Sequence, residues 1–172
     1  MILRALEMKD KEEAFQAHAD LALDNFSFLL DSFDENEPWS NFIERVNSVK
    51  RGEDLPEGKV PATFLVAEVD GQIIGRVSIR HRLNDYLLER GGHIGYGIRR
   101  EYRRRGFATE ILRRSLEIAY ELGIESALVT YDDLNIASSR VIEKCGGILE
   151  NIVELENGEK LRRYWVATKP QS

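Results

Sequence analysis

Residues 99–109 read RREYRRRGFAT: five arginines within seven positions, then Gly106. The run lies between a strand-like stretch, HIGYGIR, and a strongly periodic helical stretch, FATEILRRSLEIAYEL. The first amides of a helix have no partner within it, and they carry the positive end of the helix dipole. A glycine there lets another molecule approach the backbone, and arginines add charge-assisted donors. Such a combination can cradle a pyrophosphate. The same residues also fit a solvated basic loop that merely opens a helix. Two other phosphate motifs do not fit. The chain contains no Gly-Lys-Ser/Thr, so the Walker pattern is excluded. GYGIRR places Arg100 where a dinucleotide fingerprint requires its third glycine.

Histidine is the side chain that titrates near neutral pH. His81 and His93 lie close to strand ends, whereas His18 fits a helix face and is given no chemical role. Cys145 is the only cysteine. It reads as a small buried apolar residue, it allows no internal disulfide, and it suits a reducing compartment. No metal is expected.

These residues need elements to hold them. MILRAL reads as a short strand, and DKEEAFQAHADLAL and PWSNFIERVNSVKR as helices, the second opened by Pro38. RGEDLPEGKVP is a loop. TFLVAEV and QIIGRVSIRH flank Asp70-Gly71, a two-residue hairpin signal. HIGYGIR is a strand. The helix from Phe107 turns Ala108, Ile111, Leu112, Ser115, Ile118, Ala119 and Leu122 inward and stops at Gly123. SALVTY is a buried strand. IASSRVIEKC is a helix capped by Asn135 and closed by Gly146. GILENIVELE and EKLRRYWVAT surround Asn157-Gly158, a second two-residue hairpin signal. The order β-α-α-β-β-β-α-β-α-β-β implies an α/β fold: a mixed, mostly antiparallel sheet flanked by helices, with residues 1–172 as a single domain.

Composition narrows the function. The chain has 172 residues, 42% of them hydrophobic, and a net charge of −6. Residues 1–60 hold 14 acidic and 7 basic side chains, and the remainder holds 16 and 17. Net acidity argues against nucleic-acid binding. No apolar run is long enough to span a membrane, and MILRALEMKD lacks the features of a signal peptide. A cytoplasmic location is expected.

From Gly92 to Leu149 the sequence resembles the core of the GNAT superfamily of acyl-CoA-dependent N-acetyltransferases. The superfamily pattern Arg/Gln-x-x-Gly-x-Gly/Ala matches Arg103, Gly106 and Ala108. HIGYGIRREY before it and NIASSRVIEKCGG after it also match, most closely in the branch that includes ribosomal-protein N-terminal acetyltransferases. The resemblance implies a GNAT-like fold with acetyl-CoA as co-substrate. Arg103, Arg104, Arg105, Gly106, Phe107, Ala108 and Thr109 would hold the coenzyme pyrophosphate, chiefly through the amides from Arg104 onward. Ile98 would bond the pantetheine arm, and Asn135 and Ser138 would touch the arm near its thiol; a simple helix-cap role for Asn135 is equally consistent and compatible with this one. A backbone amide near Ile98 could polarise the thioester carbonyl. His93 is a candidate base, standing just before the position where relatives often carry a glutamate, and His81 is the second candidate. Many relatives have a tyrosine where this chain has Ile142, and an aromatic residue where it has Gly147.

The reaction expected from the resemblance is direct attack of a neutral primary amine on the thioester. The acceptor would be a small-molecule or peptide amine. Phe26, Phe28, Phe33, Trp39 and Phe42 would wall its cleft, with Asp34, Glu35 and Glu37 attracting a cation, unless they are core aromatics and solvated helix ends. No nucleic acid or membrane partner is expected, and a homodimer is compatible with the sequence. The alternative from another class is a non-catalytic acyl-CoA-binding sensor of the same fold.

Overall fold

In the computed structural model, which describes residues 1–170, the alternation of strand and helix signals resolves into seven strands and five helices among the described residues. They are β1 (Ile2–Arg4), α1 (Lys11–Ala22), α2 (Trp39–Arg51), β2 (Ala62–Val69), β3 (Gln72–Arg80), α3 (Asp85–Glu89), β4 (Ile94–Ile98), α4 (Phe107–Glu121), β5 (Ser126–Asp132), α5 (Ile136–Lys144), β6 (Ile148–Glu154) and β7 (Lys160–Ala167). Single 3-10 turns precede α1 and follow β4. The fold is α/β, with sheets flanked by helices.

The strands form two sheets, ordered β1-β2-β3-β4 and β5-β7-β6. β1 runs antiparallel to β2, and β7 runs antiparallel to both β5 and β6. The sequence suggested one sheet; a strand pattern does not say which neighbour a strand takes, and β4 and β5 belong to different ladders.

The chain divides into two compact units that interleave along the sequence. The first contains residues 1–78 and 96–108, and the second contains residues 79–95 and the chain from 109 on. The boundary falls within β3, β4 and α4.

In the first unit, α1 buries Ala14, Ala17 and Leu21, spaced three and four apart on one stripe. They join Phe28, Leu29, Trp39, Phe42, Phe64, Val66 and Ile73 in one apolar cluster. Burying side chains of this size contributes about 1.5–3 kcal/mol each. The β2–β3 hairpin turns at Asp70 (φ 51°) and Gly71 (φ 80°), the two positive values that a two-residue turn of this kind demands.

In the second unit, α4 buries Ile111, Leu112, Ser115, Leu116 and Ala119, and β5 buries Ala127, Leu128 and Val129. Leu116 replaces Leu122 on the inner stripe, because the helix ends at Glu121 and leaves Leu122 40% exposed. The β6–β7 loop is one residue longer than Asn157-Gly158 suggested. Leu155 N–H donates to Glu159 O at 2.8 Å and encloses Glu156, Asn157 and Gly158, the last at φ 83°.

Candidate active site

The arginine run divides by use. Arg99 donates to Asp20 at 2.9 and 3.1 Å and to Ile73 O at 3.1 Å. Arg100 pairs with Asp24. Arg103 donates to Asp24 at 2.6 Å and, through Nε, to Ile98 O at 3.0 Å. Hydrogen bonds from Arg100 and then Arg103 hold the Asp24 carboxyl far below the usual carboxylate range. Three of the five arginines therefore tie residues 98–103 to the carboxylates at the end of α1. Arg103, expected at the coenzyme, has its donors directed to Asp24 and Ile98 instead.

Arg104 and Arg105 differ. Among the described residues neither makes an ion pair, and both are exposed. The Arg105 guanidinium lies 5.7 Å from the centre of the Tyr102 ring. Arg104 has φ 62°, an uncommon value for a residue with a side chain, and Gly106 has φ 84°. A Cβ built on Gly106 would meet no atom within 4 Å. The backbone immediately before α4 is thus held in an unusual shape, faces open space at the glycine, and carries two cations outside any ion pair among the described residues. Phe107, Ala108 and Thr109 follow as the first helical turn.

Asn135 caps α5: its side-chain oxygen accepts from Ser138 N–H at 3.2 Å. Asn135 is exposed and Ser138 half-buried. Ile142 is fully buried. A Cβ on Gly147 would lie 2.4 Å from the Ile142 Cγ2, so the missing aromatic after Gly146 is explained by packing.

His93 does not have the surroundings of a base. It is 7% exposed. Its Nδ1 accepts from Leu128 N–H at 2.9 Å, which requires that nitrogen to be unprotonated and puts the proton of the neutral ring on Nε2. The lone pair a base would use is occupied. Burial, then the Arg80 cation, lowers its pKa to about 4. His81 follows β3 and is half-buried. His18 accepts from Leu29 N–H at 3.1 Å, in keeping with a structural place on α1.

A family model for the GNAT acetyltransferase domain matches residues 1–148. The chain belongs to the GNAT acetyltransferase family. No curated protein matches. Among solved structures, the GNAT fold recurs in yncA, a putative acetyltransferase from Salmonella typhimurium with its cofactor acetyl-CoA, at 14% identity and a TM-score of 0.65 over 99% of this chain and 95% of that one. A spermidine N-acetyltransferase, SpeG, from Vibrio cholerae matches at 18% identity and 0.63 over 98% and 95%. A ribosomal-protein-alanine N-acetyltransferase from Brucella melitensis matches at 18% identity and 0.67 over 97% and 99%.

The aromatic segment expected to border the acceptor of this GNAT chain is mostly core. Phe28 and Phe42 are fully buried and Trp39 is 4% exposed. Trp39 stacks on Phe42, and Phe33 meets Phe15 and Phe42 edge-on. Their area is worth more inside the first unit than along a wetted wall. Glu37 is bound by Arg45 at two contacts of 2.6 Å, and Asp34 accepts from Asn36 N–H at 2.9 Å. Phe26 is the exception. It is half-buried, Arg76 sits 4.2 Å over its ring, and a Cβ on Gly97 would strike the ring at 2.5 Å. Arg76 also donates to Ser27 O and Phe28 O, pinning this segment.

Sequence reasoning missed Asp20 and Asp24. Asp20 lies in the last turn of α1 and Asp24 two residues past its end, and nothing in the sequence joined them to arginines some eighty positions away.

Proposed function

We propose that the chain transfers the acetyl group of acetyl-CoA to a primary amine. The observation that carries the reading is the segment from Arg104 to Thr109: positive φ at Arg104 and Gly106, open space over Gly106, and two arginines outside any ion pair among the described residues. These residues fit a pyrophosphate, which would take the helix-start amides and the Arg104 and Arg105 guanidinium groups. Ile98, Asn135 and Ser138 are assigned to the pantetheine arm, with Asn135 also serving as a cap. Arg103 acts indirectly, by fixing Ile98 and the loop. Acetyl-CoA supplies the activated acyl group. The acceptor is proposed to be an amine because the relatives named for spermidine and for a ribosomal-protein alanine are both N-acetyltransferases. The base is left to His81, since the His93 lone pair is engaged.

The reading is tested by incubating the protein with acetyl-CoA and a panel of polyamines, amino acids and N-terminal peptides. Equal amounts of free coenzyme A thiol and acetylated amine are expected with at least one of them. Tight coenzyme binding with no release across the panel would replace the enzyme by the acyl-CoA sensor.

A further inference from the structure

His93 lies at a junction of main chains in the second unit. Its N–H donates to Leu128 O at 2.7 Å, and its carbonyl accepts from Arg80 N–H at 2.7 Å. Its ring Nδ1 accepts from Leu128 N–H at 2.9 Å. One residue thus satisfies both main-chain groups of Leu128 on β5 while also pairing with the end of β3. The approach is close: a Cβ on the preceding Gly92 would lie 2.4 Å from Leu128 O. Gly91 N–H donates to the Thr130 hydroxyl at 2.9 Å, extending the contact by one step. Trp165, whose register partner on β7 is Leu128, meets the imidazole edge-on at 6.3 Å. The β4 strand begins at the next residue, Ile94, and pairs within the other sheet.

We propose that His93 is a positioning residue that fixes the root of β4, by lending its imidazole as the acceptor that a continuing strand would otherwise have supplied to Leu128. A strand leaving a ladder strands the next amide of its neighbour, and an orphaned buried amide is costly. The ring nitrogen removes that cost at the point where β4 departs. The far end of β4 is Ile98, so the anchor sets where the backbone assigned to the pantetheine arm begins. This functional part rests on the proposed acetyl-transfer reading; the anchor itself does not.

Two substitutions separate anchoring from proton transfer. Asn places its side-chain oxygen close to the position of Nδ1, whereas Gln places it close to Nε2. His93→Asn is expected to keep kcat within about threefold of wild type. His93→Gln is expected to lower kcat roughly 10- to 100-fold, as misplaced reacting groups do, with coenzyme affinity changed less than threefold. Equal large losses in both variants would make His93 a base, and wild-type kcat in both would leave it no part in the reaction; either result overturns the proposal. Nitrogen-15 NMR of the wild-type imidazole provides a test independent of turnover and of variant folding. An unprotonated Nδ1 with a protonated Nε2, and a slowly exchanging Leu128 amide, are expected. The opposite tautomer, or a fast-exchanging Leu128 amide, would overturn the anchor. If wild type neither binds acetyl-CoA nor acetylates amines, the acetyl-transfer reading fails while the NMR result still decides the anchor.

Discussion

Arg103 and Arg104 are adjacent in sequence, yet their surroundings differ. The first ends in a carboxylate contact with Asp24 and a bond to Ile98 O; the second stands at positive φ and makes no ion pair among the described residues. Their replacement by Ala should therefore register in different assays. Arg104→Ala or Arg105→Ala should weaken acetyl-CoA binding about 10- to 100-fold, the range for losing a charge-assisted bond of roughly 1.5–3 kcal/mol, with the unfolding temperature unchanged. Arg103→Ala should lower the unfolding temperature while retaining more of the affinity. Identical profiles for the two positions would contradict the division. At Gly106 both access and conformation matter, because φ is 84° and the space above it is open. Asn tolerates such a φ and Val does not. Gly106→Asn should keep the fold, measured by thermal unfolding without ligand, and lose coenzyme affinity by titration calorimetry. Gly106→Val should lose both. Near-native affinity in a folded Gly106→Asn protein would remove the close approach at this residue.

At the level of elements, the α5 cap gives a direct stability test. Asn135→Ala should cost about 0.5–2 kcal/mol in urea unfolding, and Asn135→Asp should recover most of it. Equal stability of the Ala and wild-type proteins would show that the bond to Ser138 N–H contributes nothing. Elements with local signals were legible in the sequence. The Asp70-Gly71 turn, the Asn135 cap and the periodic α4 stripe each encode their structure within a few neighbouring residues. What depends on distant partners was not legible. The five-residue α3 is too short for periodicity, although Asn84, which accepts from Leu87 N–H at 2.9 Å, is a recognisable cap. The division into two sheets follows from strand pairing, which alternation of residue types does not encode. Phe28, Trp39 and Phe42 carried the same signal whether they lined a cleft or a core, and the core was decided by packing against α1 and β2. Of the site, the arginine–glycine run was legible as a place, but the partition of its arginines depended on Asp20 and Asp24.

Across the whole molecule, net charge is negative while the proposed coenzyme site is locally positive, so binding there should be sensitive to salt. Stability should depend on pH in two windows. Burial lowers the pKa of His18, and burial with Arg80 lowers that of His93 to about 4, against an ordinary value of 6.5. Between those values the unfolded chain binds more protons, so stability rises with pH there and is lost as pH falls from about 6.5 toward 4. The Asp24 carboxyl, depressed by its arginines, adds a second loss at lower pH still. Urea midpoints measured between pH 7 and pH 4 should fall in wild type and fall less in His93→Asn; parallel curves would exclude the histidine contribution. Residues 104–109 are proposed to hold acetyl-CoA by its pyrophosphate. Titration calorimetry of the wild-type protein with acetyl-CoA and with acetyl-pantetheine, at low and high salt, tests it most directly. Acetyl-CoA should bind at least about tenfold more tightly, and the advantage should shrink as salt rises. Equal affinity for the two thioesters at low salt would contradict the cradle.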